Sequence, residues 1–374
     1  MSRRILLTGG GSGGHVYPLL AVVEVLRSFD LGGDRVDLAY LGPKDAYGSL
    51  FAALDVRTYE LSGAKLRRYA SVENLLDVPR FFLALLQAFW RVFLLMPDAL
   101  YSKGGPGALP VVLACWFYRV PVLVHESDTV PGLTNRISSW FARRIAVSFE
   151  SAAASFPAAR VAWTGHPERR SIREAGMTRE SAKARLGFLP DEPLVLSVGG
   201  SQGSVRLNDT MLAALPLLVP LTQVLQQTGT ANEPDARALA EAGMLGVDGI
   251  VSARHPWKVV PYITEMGVAL TAADLVVSRA GSGSIFELAS FGRPAILIPL
   301  PESANDHQRR NAIAFAEAGG GHVIEESNLV PAILAREIAG LLSDNASRER
   351  METASRGFSK DGAAELIAAE LMRL

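Results

Sequence analysis

Cysteine is nearly absent: Cys115 stands alone among 374 residues. One thiol rules out disulfides within the chain and a cysteine-rich zinc site, and it fits a reducing, cytoplasmic setting. An excess of positive charge is also missing. There are 37 basic and 38 acidic residues, a formal net charge of −1. A general nucleic-acid-binding surface needs a basic surplus, so no nucleic-acid partner is expected. Long hydrophobic runs are lacking too. The most apolar stretch, residues 81–96, falls short of the ~20 residues that span a bilayer, and Gln87 and Arg91 interrupt it. The apolar Ile5-Leu-Leu is too short for a signal peptide, and glycines follow at once. What is present is ample core material: 49% of residues are hydrophobic and 20% charged. As a soft prior, that length suggests about two domains.

Short apolar runs alternate with helical patterns. Candidate strands are residues 4–8, 36–41, 99–102, 120–125, 144–147, 194–198, 222–226, 275–278, 295–298 and 322–324. Most are continuously apolar rather than alternating, as parallel strands covered on both faces are. Strands alternating with helices imply βαβ units and doubly wound sheets. One pattern occurs twice, half a chain apart: an apolar strand, a glycine cluster and a helix, at Ile5-Leu-Leu-Thr-Gly-Gly-Gly-Ser-Gly-Gly-His15 and at Val195-Leu-Ser-Val-Gly-Gly-Ser-Gln-Gly-Ser204. Two similar α/β domains in tandem are therefore expected, with a boundary near Gly165-His166-Pro167, where Gly and Pro punctuate the chain. The expected domains are residues 1–164 and 165–351, with a C-terminal helix at about 352–374 packing back on the first.

The glycine loops are where phosphate chemistry would sit. Gly9, Gly11 and Gly14 fit G-x-G-x-x-G. Such a loop lets backbone N–H groups approach a phosphate, and the helix that follows adds partial positive charge. A dinucleotide site would also want an acidic residue ending the second strand; Asp37 lies inside that strand. His15 follows the loop at a helix start, where a neutral imidazole suits a general base and equally suits a bracing role. In the second half, Gly199-Gly-Ser201-Gln-Gly203 repeats the arrangement. A third turn, Gly281-Ser282-Gly283-Ser284, precedes Glu287. A carboxylate there can accept both hydroxyls of a ribose, or can complement the helix start in a capping box with Ser284. The loop from Pro299 to Ala312 gathers His307, Gln308 and Asn311 after a strand, where open α/β sheets bind ligands.

With these residues in view, the chain resembles the MurG glycosyltransferases along nearly its whole length. Gly10-Gly-Ser-Gly-Gly-His15-Val-Tyr-Pro is similar to that family's G-G-T-G-G-H-x-x-P. Gly104-Gly-Pro-Gly107 resembles its second glycine loop, and His125-Glu126 with Gly132-Leu-Thr-Asn135 its H-E-Q-N-x-x-x-G-x-x-N. Gly165-His-Pro-Glu-Arg169 resembles G-N-P-V-R. Gly199-Gly-Ser-Gln-Gly203, the spacing from Arg279-Ala-Gly281 to Glu287, and His307-Gln308 to Asn311-Ala312 complete the series. Among the departures are Ser12 for Thr, Asp128 for the usual Asn, and His166 for the Asn of G-N-P.

The resemblance implies a GT-B fold, two doubly wound Rossmann-like domains facing across a cleft. It implies an inverting transfer of N-acetylglucosamine from UDP-N-acetylglucosamine to the 4-hydroxyl of an undecaprenyl-pyrophosphoryl-muramyl-pentapeptide. It places Arg169 and the backbone around Ile263 at the uracil, Glu287 at the ribose, and Ser12, Gly13, Gly14 and Ser201 around the pyrophosphate, with Ser282, Gly283 and Ser284 among the donor-binding positions. Asp128 falls among the donor-binding positions, His307 and Gln308 at the sugar, and His15, Gly104 and Gly105 toward the acceptor. His15 is the candidate base. No cofactor is implied. No D-x-D pair is present to hold a metal on a diphosphate, so glycine-loop amides and helix starts are expected to stabilise the departing UDP.

A polyprenyl acceptor also implies a peripheral protein at the cytoplasmic face of a bacterial plasma membrane. Residues 74–96 are the expected anchor, with Phe82, Phe89, Trp90 and Phe93 at the acyl boundary and Lys65, Arg67 and Arg68 drawn to anionic headgroups. A buried core helix or an oligomer interface is the competing reading. For the whole chain the rivals are a transferase of this fold using another lipid acceptor, an NAD(P)-dependent oxidoreductase, and a non-catalytic UDP-sugar-binding protein.

Overall fold

The structure is a computed structural model. It describes residues 3–29, 35–43, 47–62, 72–105, 107–169, 176–200, 203–245 and 255–374; for 72–78 and 242–245 only the backbone is described. The chain divides into two compact units, residues 1–170 with 360–374, and residues 171–359.

Among the described residues, unit 1 contains a seven-stranded parallel sheet of β1 (Arg4–Thr8), β2 (Asp37–Pro43), β3 (Arg57–Leu61), β4 (Ala99–Ser102), β5 (Val122–Glu126), β6 (Arg144–Val147) and β7 (Val161–Trp163), in the order β3-β2-β1-β4-β5-β6-β7. Unit 2 contains six parallel strands, β8 (Leu194–Val198), β9 (Gln223–Gln227), β10 (Trp257–Val260), β11 (Leu275–Ser278), β12 (Ala295–Leu297) and β13 (Gly321–Val323), ordered β10-β9-β8-β11-β12-β13. Helices connect the strands and cover the sheets, which is why the central strands bury side chains on both faces. Ile5, Leu6 and Leu7 of β1 are all buried, as are Val195 and Leu196 of β8. This is the doubly wound α/β class expected from the continuous apolar runs.

Three strands escape that expectation: β3, β7 and β10. All three lie at sheet edges. An edge strand has one neighbour and less cover, so Arg57-Thr-Tyr-Glu-Leu and Val161-Ala-Trp are largely exposed and Trp257-Lys-Val-Val alternates. Elsewhere the observed bounds move by one or two residues, as in Asp37–Pro43 for 36–41 and Val122–Glu126 for 120–125.

The order reverses between β1 and β4 in unit 1 and between β8 and β11 in unit 2. Open α/β sheets bind ligands at such reversals, beyond the carboxyl ends of the strands. The glycine loops follow those four strands: Gly9–Ser12 after β1, Gly104–Gly105 after β4, Gly199–Gly203 after β8 and Arg279–Gly281 after β11.

Candidate active site

In unit 1 the chain leaves β1 through Gly10 and Gly11, both with left-handed φ (134° and 87°), and enters the helix Gly13–Ser28. Ser12 is the N-cap residue, yet its side chain makes no capping bond. Its Oγ instead lies 2.9 Å from Nδ1 of His15. The second loop closes on the first. A Cβ on Gly105 would come within 2.7 Å of the Gly10 carbonyl oxygen and 3.2 Å of the His15 ring. Gly104, at φ +76°, leaves no room for a Cβ beside Asn135 Oδ1. Glycine is required at both positions because the loop backbone packs directly against a histidine and an asparagine.

Beneath these loops runs a chain of buried polar side chains. The Tyr101 hydroxyl is 3.0 Å from His125 Nδ1, His125 Nε2 is 3.0 Å from Ser148 Oγ, and Ser148 Oγ is 3.0 Å from His166 Nδ1. Burial pushes both histidines well below the ordinary imidazole range, and the Lys103 charge pushes the same way. With both rings neutral the donors form one consistent sequence: Tyr101 to His125, His125 Nε2–H to Ser148, Ser148 to His166 Nδ1. Lys103 Nζ donates to Ser127 Oγ, which lies 3.5 Å from His166 Nδ1.

The His125-Glu126…Gly132…Asn135 spacing now has a local cause. Glu126 Oε1 accepts from Asp128 N at 2.9 Å, and its Oε2 accepts from Gly132 N and Asn135 Nδ2, both at 3.0 Å. Asn135 Nδ2 also reaches the His125 carbonyl at 3.1 Å. One buried carboxylate therefore pins residues 126–132 to the helix Leu133–Ser138. Burial and the Asp128 charge push the Glu126 carboxyl up, while Lys103, the Asp128 amide and Asn135 oppose them. Arg169, assigned to the uracil, lies in unit 1, 3.3 Å from Glu24 and above the Tyr17 ring.

In unit 2, Ser201 falls outside the described residues. Ser204 caps the helix Val205–Ala213. Gln227, at the end of β9, bridges two candidate binding segments: its Nε2 donates to the Gly200 carbonyl at 3.1 Å and its Oε1 accepts from Ile263 N at 3.0 Å. Gly281 caps the helix Ser282–Ser290. Ser284 is then the third residue of that helix and Glu287 the sixth, which removes the Ser284 capping box as an account of Glu287. Asn311, fully buried, donates to the Ala280 carbonyl at 3.4 Å. Arg279 is a brace: it donates to Ser204 Oγ and to the Ile298 and Pro299 carbonyls, and it pairs with Glu326. Gln308 Oε1 accepts from Leu300 N at 3.1 Å. His307 Nδ1 lies 2.7 Å from the Ala304 carbonyl, so that nitrogen carries a proton. Asn305 and Asp306 just before it both adopt left-handed φ near 57°.

The expected anchor is the helix Val72–Leu95. Ala84, Ala88 and Val92 are its buried stripe, and it packs against the helix Ala108–Phe117. Gln87 Oε1 accepts from Ser62 N at 2.8 Å, and Arg91 sits 5.0 Å above the Tyr59 ring, so these two polar residues face β3. Phe82, Leu86, Trp90 and Phe93 are exposed, Leu86 by 69%. Phe89 is half-buried against Phe117 and Tyr118. Lys65, Arg67 and Arg68 lie outside the described residues. No helix among the described residues is long and apolar enough to cross a membrane.

Sequence reasoning missed Lys103, Ser127, Ser148 and Gln227, and also the exposed Phe117 beside the apolar helix. The one available signal was Lys103 itself, a lysine between a buried strand and two glycines.

Residues 5–147 match the glycosyltransferase family 28 N-terminal domain and residues 194–367 the family 28 C-terminal domain. A UDP-N-acetylglucosamine–N-acetylmuramyl-(pentapeptide) pyrophosphoryl-undecaprenol N-acetylglucosamine transferase of Bacillus thuringiensis subsp. konkukian is 33% identical over 368 residues, 98% of each chain. The enzyme of that name from Lactiplantibacillus plantarum is 32% identical over 97% of each. Among solved structures, MurG of Acinetobacter baumannii superimposes with a TM-score of 0.76 at 25% identity over 100% of both chains. The chain belongs to glycosyltransferase family 28, and within it to the MurG N-acetylglucosaminyltransferases.

Proposed function

We propose that the chain transfers N-acetylglucosamine from UDP-N-acetylglucosamine to the 4-hydroxyl of the muramyl sugar of the undecaprenyl-pyrophosphoryl-muramyl-pentapeptide called lipid I, making lipid II for peptidoglycan. The observation that carries this reading is the full-length likeness to transferases of that name.

Unit 2 holds the donor. The first-turn amides of Ser282, Gly283 and Ser284 favour a diphosphate, as does the dipole of their helix. Ser201 adds its hydroxyl from the neighbouring loop. Glu287, in the second turn, takes the ribose hydroxyls. Ile263 meets the base through its carbonyl, since its N–H is held by Gln227. Gln308 and His307 read the sugar. In unit 1, Gly104, Gly105 and His15 face the acceptor. When His15 Nδ1–H donates to Ser12, the ring's lone pair sits on Nε2, the form a general base needs. The acceptor oxygen then attacks the anomeric carbon as its proton passes to the base. The bond to UDP breaks with its electron pair on the diphosphate, and the anomeric configuration inverts. Ser12, Gly13, Gly14, Asp128 and Arg169 are proposed around the donor phosphates and uracil. The exposed face of the helix Val72–Leu95 meets the lipid surface from which the acceptor is drawn, at the cytoplasmic side of the membrane.

The test combines transfer assays with UDP calorimetry. Wild type converts lipid I with UDP-N-acetylglucosamine. Glu287→Ala loses two charge-assisted hydrogen bonds, each worth roughly 1.5–3 kcal/mol, and at least about tenfold in UDP affinity. His15→Ala keeps UDP affinity and slows transfer by about 10²–10⁴. Unchanged UDP affinity in Glu287→Ala would reduce that carboxylate to a helix charge, and unchanged turnover in His15→Ala would leave the imidazole only a brace.

A further inference from the structure

β2 carries Tyr40 and Gly42 two residues apart, on the same face of the sheet. Tyr40 is buried with 4% exposure, and its ring stacks on Phe51 with centroids 4.3 Å apart. Its hydroxyl donates to the Gly9 carbonyl, in the loop that follows β1. Gly42 lies beneath this bond. A Cβ there would collide with the Tyr40 hydroxyl and come within 2.8 Å of the Gly9 oxygen. The φ of Gly42 is outside the left-handed region, so its backbone makes no demand for glycine. The close approach of the Gly9 carbonyl and the tyrosine does. Gly9 is confined elsewhere as well: a Cβ on it would come within 3.1 Å of Lys103 Cβ and 3.2 Å of the Leu19 side chain. A carbonyl bonded on one side, in backbone packed on the other, holds one orientation, and peptide planarity carries that orientation to Gly10. From this peptide the chain takes its two left-handed steps at Gly10 and Gly11 and reaches Ser12 and His15. The Gly10 carbonyl is also the surface on which Gly105 packs.

We propose that Tyr40 is a positioning residue for glycosyl transfer: its hydroxyl fixes the Gly9–Gly10 peptide, and through it the place of His15 against the Gly105 backbone. Tyr40 does not touch the substrate. It acts through the loop whose first carbonyl it holds. Without the hydroxyl, the buried Gly9 carbonyl loses that donor and the turn loses its fixed origin. The inference rests on the reading of His15 as the base.

The experiment measures kcat of the full chain at saturating UDP-N-acetylglucosamine and lipid I for wild type, Tyr40→Phe, His15→Ala and the double variant. Tyr40→Phe keeps the ring on Phe51 and removes only the hydroxyl. Its kcat is expected to fall about tenfold, since a misplacement of ~1 Å can cost as much as ~10²-fold. In the His15→Ala background the same change is expected to cost less than about threefold, because the group it places is already gone. A loss of fold stability alone would lower both backgrounds alike. A folded Tyr40→Phe within about threefold of wild type overturns the proposal, as does an equal loss in both backgrounds. Failure of Tyr40→Phe to fold also overturns it, because the hydroxyl then serves the stability of unit 1. Inactivity of the wild type on lipid I removes the functional reading itself. An active wild type with an unaffected His15→Ala removes the base, and this proposal with it. An active wild type slowed by His15→Ala but not by Tyr40→Phe removes only the role of Tyr40.

Discussion

At the scale of single residues, His166 shows how a substitution can be visible in the sequence and still withhold its meaning. The sequence marks it as a departure from G-N-P, but its partners come from the segments that follow β6 and β5, far apart in the chain. The same holds for Glu126: its motif is legible, whereas the three bonds that explain the motif need the folded loop. The buried histidines carry a pH consequence. Burial lowers His125 and His166 in the folded state, so the unfolded chain binds their protons first. Their contribution to stability is present above the ordinary histidine pKa of about 6.5 and is lost as pH falls, by at most about 1.4 kcal/mol per pH unit for each ring. His166→Asn removes one of the two. Its denaturation midpoint should fall less steeply than that of wild type between pH 7 and pH 5. Equal slopes for the two proteins would mean that His166 takes its proton without cost in the fold.

Single elements are legible in the sequence where burial is two-sided and less so where it is one-sided. β1, β4, β6, β8 and β11 match their expected bounds, since each is an inner strand and reads as an apolar run. β3, β7 and β10 did not, for the edge reason given above. The helix Val72–Leu95 is a mixed case. Its excess of apolar residues is legible, but Gln87 and Arg91, which interrupt the apolar run, pack against β3. The stripe left outside is aromatic and aliphatic: Phe82, Leu86, Trp90, Phe93 and Leu94. Trp and Phe rings of this kind suit the boundary between headgroups and acyl chains. The protein should therefore float with anionic liposomes, while Trp90→Ser with Phe93→Ser should float markedly less and keep wild-type UDP affinity. Lys65, Arg67 and Arg68 changed together to Ser should flatten the salt dependence. A folded wild type that fails to float at both low and high salt ends the membrane role of this face.

Across the whole molecule, the repeated strand–glycine–helix pattern reported two units, but the path of the chain between them is subtler. The helix Asn345–Phe358 packs in unit 2 on the helix Ser282–Ser290, and the helix Ala363–Arg373 packs in unit 1 on the helix Gly13–Ser28. The last 15 residues thus complete the core of the first unit. Ala364, Ile367, Ala368 and Leu371 join the cluster containing Leu19, Val23 and Leu26. Replacing a buried Ile or Leu by Ala costs about 2–5 kcal/mol, from lost burial and the cavity left behind. Ile367→Ala and Leu371→Ala are therefore expected to destabilise unit 1 by that amount although they lie at the far end of the sequence. The donor groups Glu287 and Ser282 to Ser284 belong to unit 2, whereas Ile367 and Leu371 belong to the core of unit 1, so their free energies are expected not to couple. Calorimetry below the unfolding transition should return UDP affinity within about twofold of wild type for both variants, since sites without shared partners add. A parallel loss of UDP affinity while both units remain folded would show that the C-terminal helix supports the donor site through the unit 1 residues proposed there.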